Sequence, residues 1–154
     1  MRNQTCMFTG HRIIPLSRRD LLWNSLLDTV SSLYESGVCD FIVGGALGFD
    51  TMAAKAVLEL KKKAGDVKLH LYLPCKEQDK YWSAKDREIY KTTLDKADSI
   101  IYVSEQYTKF CMHERNRKMV DDAGICVAFL EKERGGTAYT VNYAISKGLT
   151  IIKL

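Results

Sequence analysis

The sequence has little proline and no long apolar run. Two of its 154 residues are proline, and none of its apolar runs reaches the roughly 18 residues that a membrane-spanning helix needs. The apolar run at residues 5–9, near the N-terminus, is also too short for the core of a signal peptide. We therefore expect an unprocessed, soluble, cytoplasmic protein with no membrane partner.

Cysteine pairs of the kind that build zinc sites or disulfide frameworks are absent. The 5 cysteines are widely separated and odd in number, and no two of them form a Cys-x-x-Cys motif. His70 lies between two leucines in a strand-like run and is interpreted as structural rather than metal-binding. These features predict a reduced protein without a metal site, and nothing in the sequence indicates a resident cofactor.

A strong charge of either sign is missing as well. The chain carries 23 basic and 19 acidic residues, a net charge of +4. Binding to a nucleic-acid backbone favours a denser positive charge, so a nucleic-acid partner is not expected, while a small anionic ligand suits this balance. A chain of this length with 46% hydrophobic residues has room for one core, which we assign to a single domain, 1–154.

Short apolar runs alternate with longer amphipathic segments along the whole chain. This alternation predicts a parallel sheet with right-handed crossovers and helices on both faces. The expected fold class is therefore α/β, a Rossmann-like three-layer αβα sandwich with a mainly parallel sheet. The predicted strands are 5–9, 41–43, 68–73, 99–103, 125–130 and 150–154, and the predicted helices are 17–36, 51–63, 83–97, 114–123 and 137–147.

Three glycine-containing loops each follow a predicted strand and precede a helix. They span residues 9–12, 44–50 and 135–137. Glycine allows tight turns and close backbone approach, and the free N–H groups at a helix N-terminus favour phosphate. In a parallel sheet such loops meet at the edge where ligands bind. They predict a nucleotide-sized ligand that carries phosphate, with ordinary turns as the alternative.

Several side chains around these loops have two interpretations. His11 and Arg12 either hold a phosphate or form an exposed pair. Asp50 either caps the second helix, the interpretation that we favour, or holds ligand hydroxyls. Trp82 and its neighbour Tyr81 either stack on a base or pack over a helix. Each choice depends on tertiary packing.

A charged segment at residues 111–119 follows the fourth predicted strand. It contains His113, Glu114, Arg115 and Arg117 near the start of a helix. A run of this kind is usually a solvated helix end. Its place at the ligand edge of the sheet makes it a candidate for binding.

Five groups of residues carry a resemblance to a known family. They are Thr9-Gly10-His11-Arg12, Gly44-Gly45-Ala46-Leu47-Gly48-Phe49-Asp50, Pro74 with Gln78 and Trp82, Arg115-Asn116 with Met119-Val120-Asp121, and Gly135-Gly136-Thr137 with Thr140. Over nearly its whole length the chain resembles the SLOG superfamily of Rossmann-like nucleotide-binding proteins, and within it the small YpsA-like proteins. The second group, with the two alanines that follow it, also resembles a segment of DprA proteins, which bind single-stranded DNA.

A second resemblance bears on catalysis. Residues 112–115, Met-His-Glu-Arg, are identical to the signature of the LOG phosphoribohydrolases, which cleave the N-glycosidic bond of cytokinin nucleoside monophosphates. Arg115 matches the catalytic arginine of that family, but Asn142 stands where its partner glutamate is expected. Asparagine supplies neither the negative charge nor the proton transfer that glycosidic cleavage uses. The resemblance therefore implies binding rather than hydrolysis, unless Asp50 or Glu114 supplies the carboxylate.

The predicted function is binding of a nucleotide or a nucleotide-derived signalling ligand, such as an ADP-ribose-like molecule or a nucleoside phosphate, by a sensor or sequestering protein. The alternatives are an N-glycoside hydrolase of nucleoside 5′-monophosphates and, with less support, a protein that binds single-stranded DNA. The LOG resemblance also implies a homo-oligomer, a dimer or larger. The candidate ligand-binding residues are Gly10, His11, Arg12, Gly44, Gly45, Ala46, Gly48, Asp50, Gln78, Trp82, Arg115, Asn116, Gly135, Gly136, Thr137, Thr140 and Asn142, and the catalytic candidates of an enzyme are Arg115 and Glu114.

Overall fold

Six strands and five α-helices alternate in the computed structural model, which describes residues 4–154; residues 1–3 of the predicted domain lie outside the described residues. A short 3-10 turn, Leu16–Arg18, precedes the first helix. The strands are β1 (Thr5–Gly10), β2 (Asp40–Val43), β3 (Lys68–Leu73), β4 (Ser99–Tyr102), β5 (Ile125–Phe129) and β6 (Thr150–Lys153). The helices are α1 (Arg19–Glu35), α2 (Phe49–Lys63), α3 (Ala84–Lys96), α4 (Cys111–Asp121) and α5 (Gly136–Ser146).

The strands form one sheet in the order β4-β3-β2-β1-β5-β6, and every pairing is parallel. The chain first moves outward from β1 to β4 and then returns to β5 beside β1. Helices α1, α2 and α3 pack on one face of the sheet, and α4 and α5 pack on the other. The Rossmann-like αβα prediction is confirmed. Winding reverses between β1 and β5, and ligands bind at the carboxyl ends of strands at such a point.

The central strands are buried on both faces. In β1, Cys6, Met7 and Phe8 are at most 1% exposed, with Phe8 in the core beside α1 and α2 and Met7 in the core beside α4 and α5. Strands that are covered on both faces have continuous apolar sequences, because neither face is exposed to water. The predicted strands accordingly agree with the observed ones to within one residue at each end.

Two helices begin two or more residues earlier than the sequence pattern predicts. Helix α2 begins at Phe49 instead of residue 51, and α4 begins at Cys111 instead of residue 114. Both first residues are fully buried, so their packing anchors the first turn to the core. The helical periodicity of α1 is regular, and its buried residues are Leu22, Leu26, Val30 and Leu33.

His70 joins three neighbouring strands. Its Nε2 lies 2.8 Å from Asp40 Oδ1 in β2, and its Nδ1 lies 2.6 Å from Ser99 Oγ in β4. Both ring nitrogens thus have a protein partner. This arrangement matches the interpretation of His70 as a structural histidine.

Candidate ligand-binding site

A cleft of about 450 Å³ lies at the carboxyl ends of β1 and β5, where the winding of the sheet reverses. Its volume is within the range of about 300–1,000 Å³ that is usual for small-molecule sites. Its walls are the loops after β1, β2 and β5 and the start of α4. The lining residues are Phe8, Thr9, Gly10, His11, Arg12, Ala46, Asp50, Met112, His113, Arg115, Asn116, Lys132, Arg134, Gly135, Gly136 and Thr137.

The loop after β1 is fixed to the elements around it. Gly10 lies so close to the Phe49 ring that a Cβ at residue 10 would overlap it. His11 Nε2 accepts a hydrogen bond from the Glu131 N–H at 2.8 Å, and the His11 carbonyl accepts one from the Phe49 N–H at 3.1 Å. Arg18 pairs with the Glu131 carboxylate at 2.7 Å. The loops after β1 and β5, which face each other across the cleft, are thereby held together.

The N-terminus of α5 opens into the cleft without a capping side chain. The N-cap residue is Gly135, whose φ of 102° favours glycine, and a Cβ on Gly135 or Gly136 would have no neighbour within 4 Å. The first helical hydrogen bond runs from the Tyr139 N–H to the Gly135 carbonyl, so the N–H groups of residues 136–138 precede the helical pattern. With the positive end of the helix dipole, these groups favour an anion.

Arg115 carries a charge but is almost fully buried. Its side chain is 5% exposed although it lines the cleft. Its Nη1 donates to the carbonyl oxygens of Gly44 and Tyr72, and its Nε donates to Asn116 Oδ1 at 2.7 Å. Burial lowers the pKa of Arg115, but an arginine starts so far above neutrality that it stays charged. Arg115 therefore ties α4 to the loop after β2 and to the end of β3.

Asp50 lies inside α2, and the favoured prediction that it caps this helix is wrong. The N-cap residue is Gly48, with a φ of 78°, and a Cβ on Gly48 would overlap the Arg12 carbonyl oxygen. Asp50 instead accepts a hydrogen bond from the Ala46 N–H at 3.1 Å. Burial raises the pKa of Asp50, while the Arg115 charge and the Ala46 N–H act in the opposite direction. The cleft therefore contains a buried carboxyl group.

Positive side chains outnumber carboxylates in the cleft. Arg12, Lys132 and Arg134 line it together with Arg115, whereas Asp50 is its acidic residue. Within residues 4–154, neither Arg12, Lys132 nor Arg134 takes part in an ion pair. Their charged groups are therefore available for charge-assisted hydrogen bonds with an anion.

Comparison with known proteins places the chain in a family. The YpsA family model, described as the YspA SLOG family, matches residues 6–149. The chain belongs to this SLOG family. It is similar to the SPbeta prophage-derived protein YoqJ of Bacillus subtilis (strain 168), with 39% identity over 116 residues, which cover 68% of each protein. It is also similar to a UPF0398 protein of Bacillus cereus (strain G9842), with 27% identity over 124 residues, which cover 77% of this chain and 66% of that protein.

Solved structures share the fold of this SLOG chain. DNA processing protein A (DprA) from Streptococcus pneumoniae superposes with a TM-score of 0.68 and 17% identity over 97% of this chain and 49% of that one. DprA from Helicobacter pylori, studied for its single-stranded DNA binding mode, superposes with a TM-score of 0.68 and 16% identity. The match covers 97% of this chain and 64% of that one. TM1055, a structural genomics target, superposes with a TM-score of 0.57 and 18% identity. The match covers 96% of this chain and 71% of that one. The chain thus spans about half of the pneumococcal protein.

The cleft brings together a large part of the SLOG motifs but leaves others outside. The predicted residues that line it are Gly10, His11, Arg12, Ala46, Asp50, Arg115, Asn116, Gly135, Gly136 and Thr137. The predicted residues that do not line it are Gly44, Gly45, Gly48, Gln78, Trp82, Glu114, Thr140 and Asn142.

Gln78 and Trp82 support the SLOG loop after β2 from behind. Gln78 Nε2 donates to the Gly45 carbonyl at 3.2 Å and lies 3.0 Å from the Tyr90 hydroxyl. The Trp82 ring meets the Tyr90 ring of α3 edge-on, with 5.1 Å between the centroids. Trp82 therefore packs over a helix, which is the second of its two interpretations.

Thr140 and Asn142 lie on α5 but not at its cleft end. Thr140 is 1% exposed and donates its hydroxyl to the Gly136 carbonyl at 2.8 Å. Asn142 is exposed on another face of α5, because residues two apart on a helix point in different directions. Glu114 is likewise exposed on α4. The position that resembles the LOG glutamate is therefore outside the cleft of this chain.

Sequence reasoning did not select two cations that line the cleft, and it included two lining residues of α4 only as part of the charged segment 111–119. Lys132 and Arg134 come from the loop after β5, and Met112 and His113 come from the start of α4. The His113 ring meets the Tyr139 ring edge-on at 5.0 Å, which joins α4 to α5. The signal for the cations was present, since Arg134 directly precedes the glycine pair of a phosphate-type loop and Lys132 stands two residues before Arg134.

Neither a metal site nor a membrane helix is found in the part of the chain that the structure describes. Residues 4–154 contain no group of three or more His, Cys, Asp or Glu side chains that could hold a metal ion. Within the same residues, no helix is long and apolar enough to cross a membrane.

Lowering the pH is expected to destabilise the protein through His11. Burial, aided by the Lys132 charge, lowers the pKa of His11 from its ordinary value of 6.5, and the neutral ring accepts the Glu131 N–H. A depressed histidine pKa means that the unfolded chain binds the proton first as the pH falls. The stabilisation that the neutral His11 ring provides is therefore present above pH 6.5 and is lost as the pH falls below it. Thermal unfolding between about pH 7.5 and 5.5 should show a smaller decline in Tm for His11→Gln than for the wild type.

His113→Gln is the matched control for this experiment, because His113 is exposed and shares the cleft. It should keep the decline of the wild type. Equal declines in the wild type and in His11→Gln would contradict the assignment to His11.

Proposed function

We propose that this SLOG chain binds a nucleotide or a nucleotide-derived signalling ligand, and that it acts as a sensor or a sequestering protein. The observation that carries the proposal is the uncapped N-terminus of α5, which faces a cleft where Arg12, Lys132 and Arg134 form no ion pair with any acidic residue in the range 4–154. An anion at this position would receive backbone N–H bonds and favourable helix-dipole energy together.

The groups around the phosphate position are suited to a nucleoside. Asn116 lines the cleft, and its Oδ1 already accepts from Arg115 Nε, so its amide N–H groups remain for ribose hydroxyls. Asp50 offers a carboxyl group at the floor of the cleft. The base would lie against Met112 and His113, because Trp82 packs elsewhere.

A thermal-shift and calorimetry panel tests the proposal. The ligands are nucleoside 5′-monophosphates, cyclic nucleotides and ADP-ribose, with the matching nucleosides and inorganic phosphate as controls. At about 100 times Kd, a ligand adds about 2.7 kcal/mol to the free energy of unfolding, which raises Tm by roughly 5–10 °C in a domain of this size. We expect such a rise for at least one phosphorylated ligand and a much smaller one for its nucleoside. Folded protein that responds to none of them would overturn the proposal.

Hydrolysis of an N-glycosidic bond is the second candidate, and the buried carboxyl group of Asp50 favours it. A carboxyl group whose pKa is raised by burial can donate a proton to a leaving base. The test is incubation with nucleoside 5′-monophosphates, followed by chromatography for free base. Base release that Asp50→Asn abolishes, while the variant still binds the nucleotide, would make the chain an enzyme. Absence of free base leaves the binding function.

Single-stranded DNA is a third ligand to test, because the Helicobacter pylori DprA that shares the fold is described as binding it. We expect no binding by this chain, since its net charge is only +4. Fluorescence anisotropy of a labelled oligonucleotide at about 50 and 200 mM salt measures it. Tight binding that weakens steeply with salt would favour DNA over a small ligand.

A further inference from the structure

A second groove adjoins the cleft on the other side of the loop after β1. It has a volume of about 640 Å³ and lies among the starts of α1, α2 and α3. Arg12 lines both the cleft and this second groove. From the loop after β2 and the start of α2, Ala46 and Asp50 line the cleft, whereas Gly48 and Thr51 line the second groove. Arg12 is therefore the residue that the two cavities share.

The second groove combines an apolar wall with unpaired cations. Trp23 and Met52 contribute apolar surface. Arg19, Lys55 and Lys85 line the groove, and none of them forms an ion pair with another residue in the range 4–154. An aromatic ring system beside negative charge fits this combination, because the ring stacks on tryptophan while the cations bind the charge.

The acidic residues of the second groove do not cancel its positive charge. Asp20 and Asp86 also line it, against the four cations of Arg12, Arg19, Lys55 and Lys85. Positive side chains therefore outnumber carboxylates in both the cleft and the second groove. A ligand that spans both cavities would place a central phosphate beside Arg12, the residue that they share.

We infer that the second groove binds the distal nucleoside of a dinucleotide whose two halves are joined by a diphosphate. This inference rests on the proposed function, since the first half of the ligand occupies the cleft at the N-terminus of α5. Each cavity alone has a volume usual for a small-molecule site, so a mononucleotide would leave one of them empty. Arg12 binds the bridging diphosphate, and the distal base stacks on Trp23.

Calorimetry with three probes tests the inference: AMP, ADP-ribose and diadenosine diphosphate. We expect affinity to rise along this series, with diadenosine diphosphate bound at least about tenfold more tightly than AMP. Lys85→Glu should weaken diadenosine diphosphate binding by about tenfold and leave AMP binding unchanged. Lys85 lies in the first turn of α3, where a glutamate suits the helix dipole, so the variant should fold.

Lys91→Glu is the matched control, because Lys91 is exposed on the same helix and does not line the second groove. It should leave both affinities unchanged. If AMP binds and diadenosine diphosphate binds no more tightly, or if the two lysine variants behave alike, the second groove is not a subsite although the proposed function stands. If none of the three probes binds, the inference fails; the proposed function fails as well only if the whole nucleotide panel gives no ligand. Loss of diadenosine diphosphate affinity in Trp23→Leu, with AMP affinity kept, would support the stacked base.

Discussion

Gly136→Asp is expected to abolish ligand binding while the fold stays as stable as the wild type. A Cβ at residue 136 has no neighbour within 4 Å, and Gly136 does not have a positive φ, so an aspartate fits without strain. A carboxylate in the first turn of a helix is favourable for the helix dipole. The same carboxylate occupies the position proposed for the ligand phosphate and repels it. We expect affinity to fall by about a hundredfold or more, equivalent to about 2.8 kcal/mol.

Gly65→Asp is the control for this variant. Gly65 is exposed in the turn between α2 and β3, and a Cβ there also has no neighbour within 4 Å. It adds the same charge to the protein far from the cleft. Calorimetry with whichever nucleotide the panel identifies, combined with thermal unfolding, measures both variants. Unchanged binding by Gly136→Asp would show that the phosphate lies elsewhere.

The fold could be predicted closely because its signals are local and repeated. Residues 41–43, Phe-Ile-Val, lie between covered faces, so the apolar run itself marks the strand. The start of α2 could not be predicted from periodicity, because Phe49 joins the helix through its packing against Gly10 and Phe8. That contact, which links residues far apart in the chain, moves Asp50 from the cap into the first turn.

The candidate site could be predicted as a set of loops but not as a set of contacting side chains. Parallel strands bring their carboxyl ends to the same edge of the sheet, so the glycine loops at residues 10 and 135–136 could be predicted to lie close together. Which side chains enter the cleft depends on tertiary packing. Trp82 packs edge-on against Tyr90 of α3, and Asn142 is exposed on a face of α5 outside the cleft. Arg115 shows the same difficulty, since a charged residue in a sequence motif does not reveal its burial.

Arg115→Leu is expected to destabilise the protein strongly, beyond any effect on binding. Removing the buried guanidinium leaves the carbonyl oxygens of Gly44 and Tyr72 without this donor. It also removes the positive charge on α4 that acts on the buried Asp50. Breaking a buried charged network from one side costs about 3–5 kcal/mol. In a domain of this size we expect Tm to fall by roughly 6–20 °C, measured by calorimetric or spectroscopic unfolding.

Arg12→Leu separates binding from folding, because Arg12 is exposed and lines the same cleft. It should bind the ligand weakly and unfold at the wild-type temperature. The double variant Arg115→Leu with Asp50→Leu should recover part of the lost stability, since it also removes the buried Asp50 carboxyl group, which the Arg115 charge favours in its ionised form. If Arg115→Leu unfolds like the wild type and loses only binding, Arg115 is a ligand-binding residue rather than the anchor between α4 and the loop after β2.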